Sequence, residues 1–189
     1  MTETPNPHLI DADALTGEMH PIRRVVVSIG SNLGDRFAQL QGAVDAWGDT
    51  PDVWVTDVSP VYETAPVDCP PDAQPYLNAV VLLDSTLAAR RLMERALAIE
   101  EAFLRERTGV VNESRTLDVD LVVVGDRRSD EEFLRLPHPR AHERAFVLQP
   151  WHDLEPDAVL PGRGPVADLL AQVDRTGVVR REDLELTTP

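Results

Sequence analysis

Arg115-Thr116-Leu117-Asp118-Val119-Asp120-Leu121-Val122-Val123-Val124 reads as a strand of buried β-branched residues interrupted by two carboxylates. Asp is strongly depleted from strands, so something must hold these two in place. Strand side chains alternate between faces, which puts Asp118 and Asp120 on one side and Leu117, Val119 and Leu121 on the other. Their Cβ atoms would lie roughly 7 Å apart, given a rise of about 3.3 Å per residue. At that spacing two carboxylates can share one or two hard cations, and Mg2+ with substrate phosphates is the usual arrangement. Taken alone, an Asp-x-Asp is explained equally well by the solvated face of an edge strand. The neighbours tip the reading, because Arg115 stands three residues ahead and a helical pattern carrying Glu100, Arg105 and Arg107 precedes it. Carboxylates for metal beside guanidinium groups for phosphate suggest a nucleotide site.

The chain has 189 residues, 42% hydrophobic and 27% charged, the composition of one soluble globular domain with tails. No apolar run approaches the roughly 20 residues of a membrane span. The polar, acidic N-terminus lacks a charged-then-apolar signal pattern, so a cytoplasmic location is expected. The single cysteine, Cys69, lies in a Pro-rich loop away from any His, which makes it an incidental thiol. The formal net charge of -15 argues against nonspecific binding to nucleic acid or an anionic membrane. All 18 basic residues are Arg, which excludes both a P-loop lysine and a Schiff-base lysine.

Working outward, residues 24–29 form a β-branched strand that ends in the turn cluster Gly30-Ser31-Asn32-Leu33-Gly34-Asp35. Phe37, Leu40, Val44 and Trp47 then fall at helical intervals. Residues 53–58 and 76–83 read as strands, separated by an irregular, exposed loop over 67–75. Asn78, polar within its strand, needs partners for both amide groups; a ligand edge and a neighbouring loop are equally good solutions. Ser85 or Thr86 can cap a long helix over 87–107, with Leu92, Ala96, Ile99 and Phe103 as its apolar stripe and Glu100 beside it. Arg105 and Arg107 close that helix, where cations suit the dipole with or without a ligand. Residues 127–132 form a charged hairpin or loop. In Leu136-Pro137-His138-Pro139-Arg140 the two prolines fix the backbone around His138, which suits a group aimed at phosphate and equally a surface turn. A short helical pattern over 141–148 carries Arg144 and Phe146. Trp151, Leu154, Val159 and Leu160 look like core, and residues 165–173 could form a last helix.

The order β-α-β-β-α-β gives an α+β fold, a ferredoxin-like split βαβ unit with an antiparallel sheet and helices packed on one face. Residues 1–22 are expected to be a loose N-terminal tail, 23–173 the domain, and 174–189 a C-terminal tail.

Read together, Ser28-Ile29-Gly30-Ser31-Asn32-Leu33-Gly34-Asp35, Tyr62-Glu63-Thr64-Ala65-Pro66, Tyr76-Leu77-Asn78-Ala79, Ile99-Glu100, Arg115-Thr116-Leu117-Asp118-Val119-Asp120 and Leu136-Pro137-His138-Pro139-Arg140 resemble the 6-hydroxymethyl-7,8-dihydropterin pyrophosphokinases of folate biosynthesis. Six motifs in order make chance similarity a poor explanation. The resemblance implies transfer of pyrophosphate from ATP to the 6-hydroxymethyl oxygen of the pterin, releasing AMP. It implies that Asp118 and Asp120 hold two Mg2+ and that Arg105 and Arg115 neutralise charge on the transferred group. It further implies that Glu100, Arg107, Leu121, His138 and Arg144 serve the ATP site, and that Tyr76 and Phe146 sandwich the pterin. Asn78, Thr64, Ala65 and Val67 would line or read the ring's edge. The expected partners are ATP and the pterin alone, with no nucleic acid or membrane, acting on a monomer. Two departures stand out: Asn112-Glu113-Ser114 replaces the usual Trp-Gly-Pro, and Leu97 replaces a commonly polar residue. With the Asp pair and the Arg groups kept, altered affinity or closure is expected rather than loss of activity.

Two rival readings differ in product or in turnover. A nucleotidyltransferase also pairs Gly-Ser with Asp-x-Asp, but at much shorter spacing than Gly30-Ser31 to Asp118. A ligand-sensing module of the same fold gives no reason for carboxylates and arginines together.

Overall fold

The β-branched run after residue 22 forms the central strand of the protein. In the computed structural model, which describes residues 21–65, 74–103 and 117–189, strand β1 (Arg23–Ser31) lies between β4 (Tyr76–Ser85) and β5 (Asp118–Val124), antiparallel to both. The other edge of β4 is shared end to end by β2 (Val53–Val58) and β3 (Tyr62–Thr64). Between them Ser59 continues the pairing, since its backbone N donates to Val80 O at 2.9 Å and its Oγ accepts from Val80 N at 2.8 Å.

Alternation along these strands builds two cores. Val25, Val27 and Ile29 of β1 face one side with Leu77, Ala79, Val81 and Leu83 of β4 and Val119 and Leu121 of β5. Helices α1 (Arg36–Gly48) and α2 (Ala89–Ala102) cover that side with Leu40, Val44, Trp47, Leu92, Ala96 and Ile99. Each buried Val, Leu or Ile among them contributes roughly 1.5–3 kcal/mol relative to exposure. The turn into α1 is tight because Gly34 adopts φ 69° and Asp35 caps the helix, its side chain accepting from Ala38 N at 3.1 Å.

The opposite face is also covered, contrary to the expectation of helices on one face only. Val26, Val80, Leu82, Val122 and Val123 pack against Val147, Leu148 and Trp151 of α3 (Ala145–Leu154) and Val166 and Leu170 of α4 (Val166–Leu170). The sequence signal for this second layer is short helices rich in Val, Leu and Trp, and these need burial as much as the long ones do. α3 follows a 3-10 turn (Ala141–Glu143), which splits the helix expected over 141–148.

Two further expectations are corrected. The N-cap of α2 is Ala88, with no side-chain cap bond; Ser85 Oγ instead donates to Asp52 O at 2.7 Å and accepts from Leu87 N at 3.0 Å. The C-terminal residues are not a loose tail. After the small hairpins β6 (Ser129–Glu131) with β7 (Leu134–Leu136) and β8 (Val159–Leu160) with β9 (Gly164–Pro165), strand β10 (Val178–Arg180) pairs antiparallel with β3. Leu186 then joins the first core, and Thr187 N donates to Gln41 Oε1 at 3.0 Å. The expected N-terminal tail lies outside the described residues apart from Pro21 and Ile22. No helix among the described residues is long and apolar enough to cross a membrane.

Candidate active site

One row of the sheet carries the site. Cross-strand partners run Tyr62, Asn78, Gly30, Asp118 from β3 through β4 and β1 to β5, and two residues along, on the same face, a second row runs Val80, Ser28, Asp120. Partners in register share a face, so the two carboxylates, Asn78 and Tyr62 all lie on the side away from α1 and α2. Gly30 keeps the middle of this row open. A Cβ there would lie 3.0 Å from Asn78 Oδ1 and 3.9 Å from Tyr76 Cδ1.

At the β4 end, Asn78 is 4% exposed and its Nδ2 donates to Thr64 Oγ1 at 2.9 Å. Thr64 is the register partner of Tyr76, so these three groups form one polar and aromatic corner. Ala65, next along, is exposed.

At the β5 end, Asp118 and Asp120 are half-buried, with the buried Val119 between them. That intervening residue is fixed from behind: Glu100 of α2, 3% exposed, accepts from Val119 N at 2.9 Å through Oε1. Asp120 Oδ2 accepts from Arg144 Nη1 at 3.2 Å and lies 3.7 Å from His138 Nε2. His138 is brought there by a bulge. The register with β1 shifts between Val26 and Val27, leaving Val122 as an extra residue on β5, and His138 N donates to Val122 O at 2.9 Å. The Leu136-Pro137 bond just ahead is cis. Arg140 N donates to His138 Nδ1 at 3.2 Å, which puts the imidazole's remaining proton on Nε2, toward Asp120. Burial pushes the His138 pKa down to about 4; the Arg144 cation adds to this and Asp118 opposes it. At neutral pH His138 is therefore an uncharged donor.

Arg144 immediately precedes α3, and its guanidinium lies 5.5 Å from the centre of the Phe146 ring. The far end of the same helix is tied down too. Tyr62 donates its hydroxyl to Asp153 Oδ2 at 2.5 Å, and burial together with that carboxylate pushes the phenol's pKa up. This pair was missed in the sequence. Its only signal was a tyrosine at the head of the Tyr62-Glu63-Thr64-Ala65-Pro66 motif.

The structure thus brings together Asp118, Asp120, His138 and Arg144 at one end of the row and Thr64, Tyr76 and Asn78 at the other. Phe146 follows on α3. Leu121 does not join them: the residue is 1% exposed and lies in the core beneath the sheet. Arg105, Arg107, Arg115 and Val67 lie outside the described residues, as do Asn112, Glu113 and Ser114.

The donor set suits Mg2+. Among the described residues no three His, Cys, Asp or Glu gather as a closed metal cage. Two half-exposed carboxylates on one strand face are what a hard cation needs when phosphates and water complete its shell.

A family model described as 7,8-dihydro-6-hydroxymethylpterin-pyrophosphokinase matches residues 26–156. The chain is 37% identical over 162 residues to a Pseudomonas aeruginosa protein named 2-amino-4-hydroxy-6-hydroxymethyldihydropteridine pyrophosphokinase, covering 84% of this chain and 97% of that one. A Mycobacterium leprae protein of the same name is 43% identical over 178 residues, covering 87% and 88%. Among solved structures, the fold is similar to that of wild-type Plasmodium falciparum HPPK-DHPS with SDX-DHP, at a TM-score of 0.61 and 12% identity, over 82% of this chain and 45% of that one, so the chain spans less than half of that protein. By the match over most of its length and by its identity to these relatives, the chain belongs to the 7,8-dihydro-6-hydroxymethylpterin-pyrophosphokinase family.

Proposed function

We propose that this protein transfers pyrophosphate from ATP to the 6-hydroxymethyl group of 6-hydroxymethyl-7,8-dihydropterin, releasing AMP, with Mg2+ assistance and in-line geometry, as a step of folate biosynthesis. One observation carries the proposal: Asp118 of β5 and Asn78 of β4 share a sheet row with only Gly30 between them, with Asp120 and Thr64 two positions to either side on the same face. A metal-phosphate end therefore adjoins a hydrogen-bonding end of heterocycle size.

In this reading Asp118 and Asp120 hold two Mg2+ ions, which when bound neutralise the triphosphate and align it. Arg144 contributes a cation and His138 an uncharged Nε2–H donor toward phosphate oxygens. Arg105 and Arg115 are assigned to the charge that develops on the transferred group, and Arg107 to ATP. Asn78 and Thr64 read the pterin edge, Ala65 and Val67 line it, and Tyr76 and Phe146 clamp the ring, a use that suits flat aromatic faces. Glu100 acts from beneath, holding Val119 and with it the spacing of the two carboxylates. Transfer of this kind asks the protein for alignment and charge stabilisation rather than a covalent nucleophile.

The sheet order β5-β1-β4, with β2 and β3 sharing the outer edge of β4, supports a ferredoxin-like split βαβ core. The catalytic domain runs from residue 23 through the packed C-terminal residues. The protein is proposed to act as a cytoplasmic monomer, without nucleic acid or membrane.

The test is to incubate purified protein with ATP, Mg2+ and the pterin and to separate the nucleotide products, with Asp118→Ala as control. Pterin-dependent AMP that disappears in the control supports the reading. ADP or free pyrophosphate redirects it to another transferase, and pterin binding without any product favours a sensor.

A further inference from the structure

Behind the corner formed by Thr64, Tyr76 and Asn78, on the opposite face of β3, stands Glu63. Its Oε2 accepts from Arg36 Nη1 and from Arg181 Nη1, each at 3.0 Å. Arg36 is the first residue of α1, and the same Nη1 donates to Pro75 O at 2.6 Å, one residue ahead of Tyr76. Arg181 follows β10 directly. Its backbone N donates to Val61 O at 2.9 Å, and its guanidinium is gripped by Asp183 at 2.8 and 2.7 Å. One carboxylate thus joins the start of α1, the entry to β4 and the C-terminal segment around a single short strand.

β3 has three residues and its outer neighbour β10 has three. Pairs this short do not fix themselves. The side chains of the three hub residues are only 21–31% exposed, so solvent screens their attraction less than it would on an open surface. Register pairing then passes the restraint across the strand: Glu63 is flanked by Tyr62 and Thr64, whose partners are Asn78 and Tyr76.

We propose that Glu63, held between Arg36 and Arg181, is a positioning residue for the ring-binding end of the site. It sets the places of Thr64, Tyr76 and Asn78, and so the affinity for the pterin, without touching it. The C-terminal segment enters this hub through Arg181 and is part of the substrate-binding apparatus. The inference rests on the reading of those three residues as pterin-binding.

The experiment uses the full chain as wild type, Glu63→Gln, Arg181→Gln and the double variant. Each is titrated with 6-hydroxymethylpterin in the presence of Mg2+ and α,β-methylene-ATP, and separately with the nucleotide alone; a thermal melt and the side-chain amide signal of Asn78 by NMR accompany both. The single variants are expected to weaken pterin binding by about tenfold, the scale of a lost charge-assisted bond. Nucleotide affinity should stay within about twofold, the Asn78 amide signal should shift without ligand, and the double variant should be no worse than the weaker single one. Unchanged pterin affinity in both single variants overturns the proposal. So does a parallel loss of nucleotide and pterin affinity, which marks general loosening. A wild type that binds no pterin overturns the reading of the site itself, and is distinguished by failing before any variant is compared.

Discussion

Arg144 Nη1 donates to Asp120 Oδ2 at 3.2 Å, so the start of α3 is tied to the carboxylate pair of β5 by one charge-assisted bond. The contact holds the carboxylate in place and keeps a cation beside the position proposed for phosphate. Arg144→Ala should weaken Mg-ATP binding about tenfold to a hundredfold, the scale of a lost charged hydrogen bond. Asp120→Asn should cut turnover by at least about a hundredfold, comparable to removing one preorganised electrostatic group. Calorimetry with Mg-ATP and steady-state AMP release check the two outcomes separately.

Gly30 is not required by its backbone angles, since its φ is not positive; it is required by space. The Cβ of Gly30→Ala would meet Asn78 Oδ1 at 3.0 Å, and the amide can yield only by leaving Thr64. Pterin affinity should fall about tenfold or more, with a stability loss of about 1–3 kcal/mol from overpacking. Mg-ATP affinity measured on the same sample should be almost unchanged; a larger loss there than for pterin would refute the account.

Glu100 satisfies a backbone N–H at the sheet edge. Glu100→Ala leaves the Val119 N–H without its acceptor in a buried place and should cost about 1–3 kcal/mol. Glu100→Gln keeps an oxygen there and should recover much of that loss. Urea denaturation of the three proteins gives the ranking, and equal stability of all three would show that the bond contributes nothing.

His138 has its pKa pushed down to about 4 by burial, aided by Arg144 and opposed by Asp118. The unfolded chain, with an ordinary imidazole near 6.5, binds more protons than the folded one between those values, so stability rises with pH across that window. The contribution is fully present above about pH 6.5 and is lost as pH falls toward about 4. Metal-free wild type should therefore destabilise more steeply than His138→Gln between these limits, by an amount of order 2–3 kcal/mol. Parallel melts from pH 7 to pH 4 measure the difference. NMR at pH 6 should find the imidazole neutral, with its proton on Nε2.

Much of this was legible in the residues. Alternation alone placed Asp118 and Asp120 together, and the β-branched runs placed β1, β4 and β5. The two short helices were read in outline, over 141–148 and 165–173, but their place on the second face of the sheet was not legible, because α3 contains Pro150 and lies in a Pro-rich stretch whose apolar residues lack a long period. Nor was the packing of the C-terminal segment. Val178, Leu184 and Leu186 are spread among charged residues, and only the presence of β3's open edge gives the segment somewhere to bind. The assignment of Leu121 to the nucleotide came from family position, whereas its alternation with Asp120 already pointed it into the core. The Glu63 hub joins residues 36, 63 and 181, and no local pattern connects positions so far apart.

The extra residue at Val122 works as a change of phase within β5. Ahead of it, Asp118 and Asp120 stand half-buried on one face; beyond it, Val123 and Val124 each face a packed core. One strand can thus be half instrument and half scaffold, because the interruption frees the carboxylate end from the parity that the buried end must obey. Losing that single residue would leave every other side chain chemically intact while putting the two halves out of step, so that either the charges or the valines would face the wrong environment.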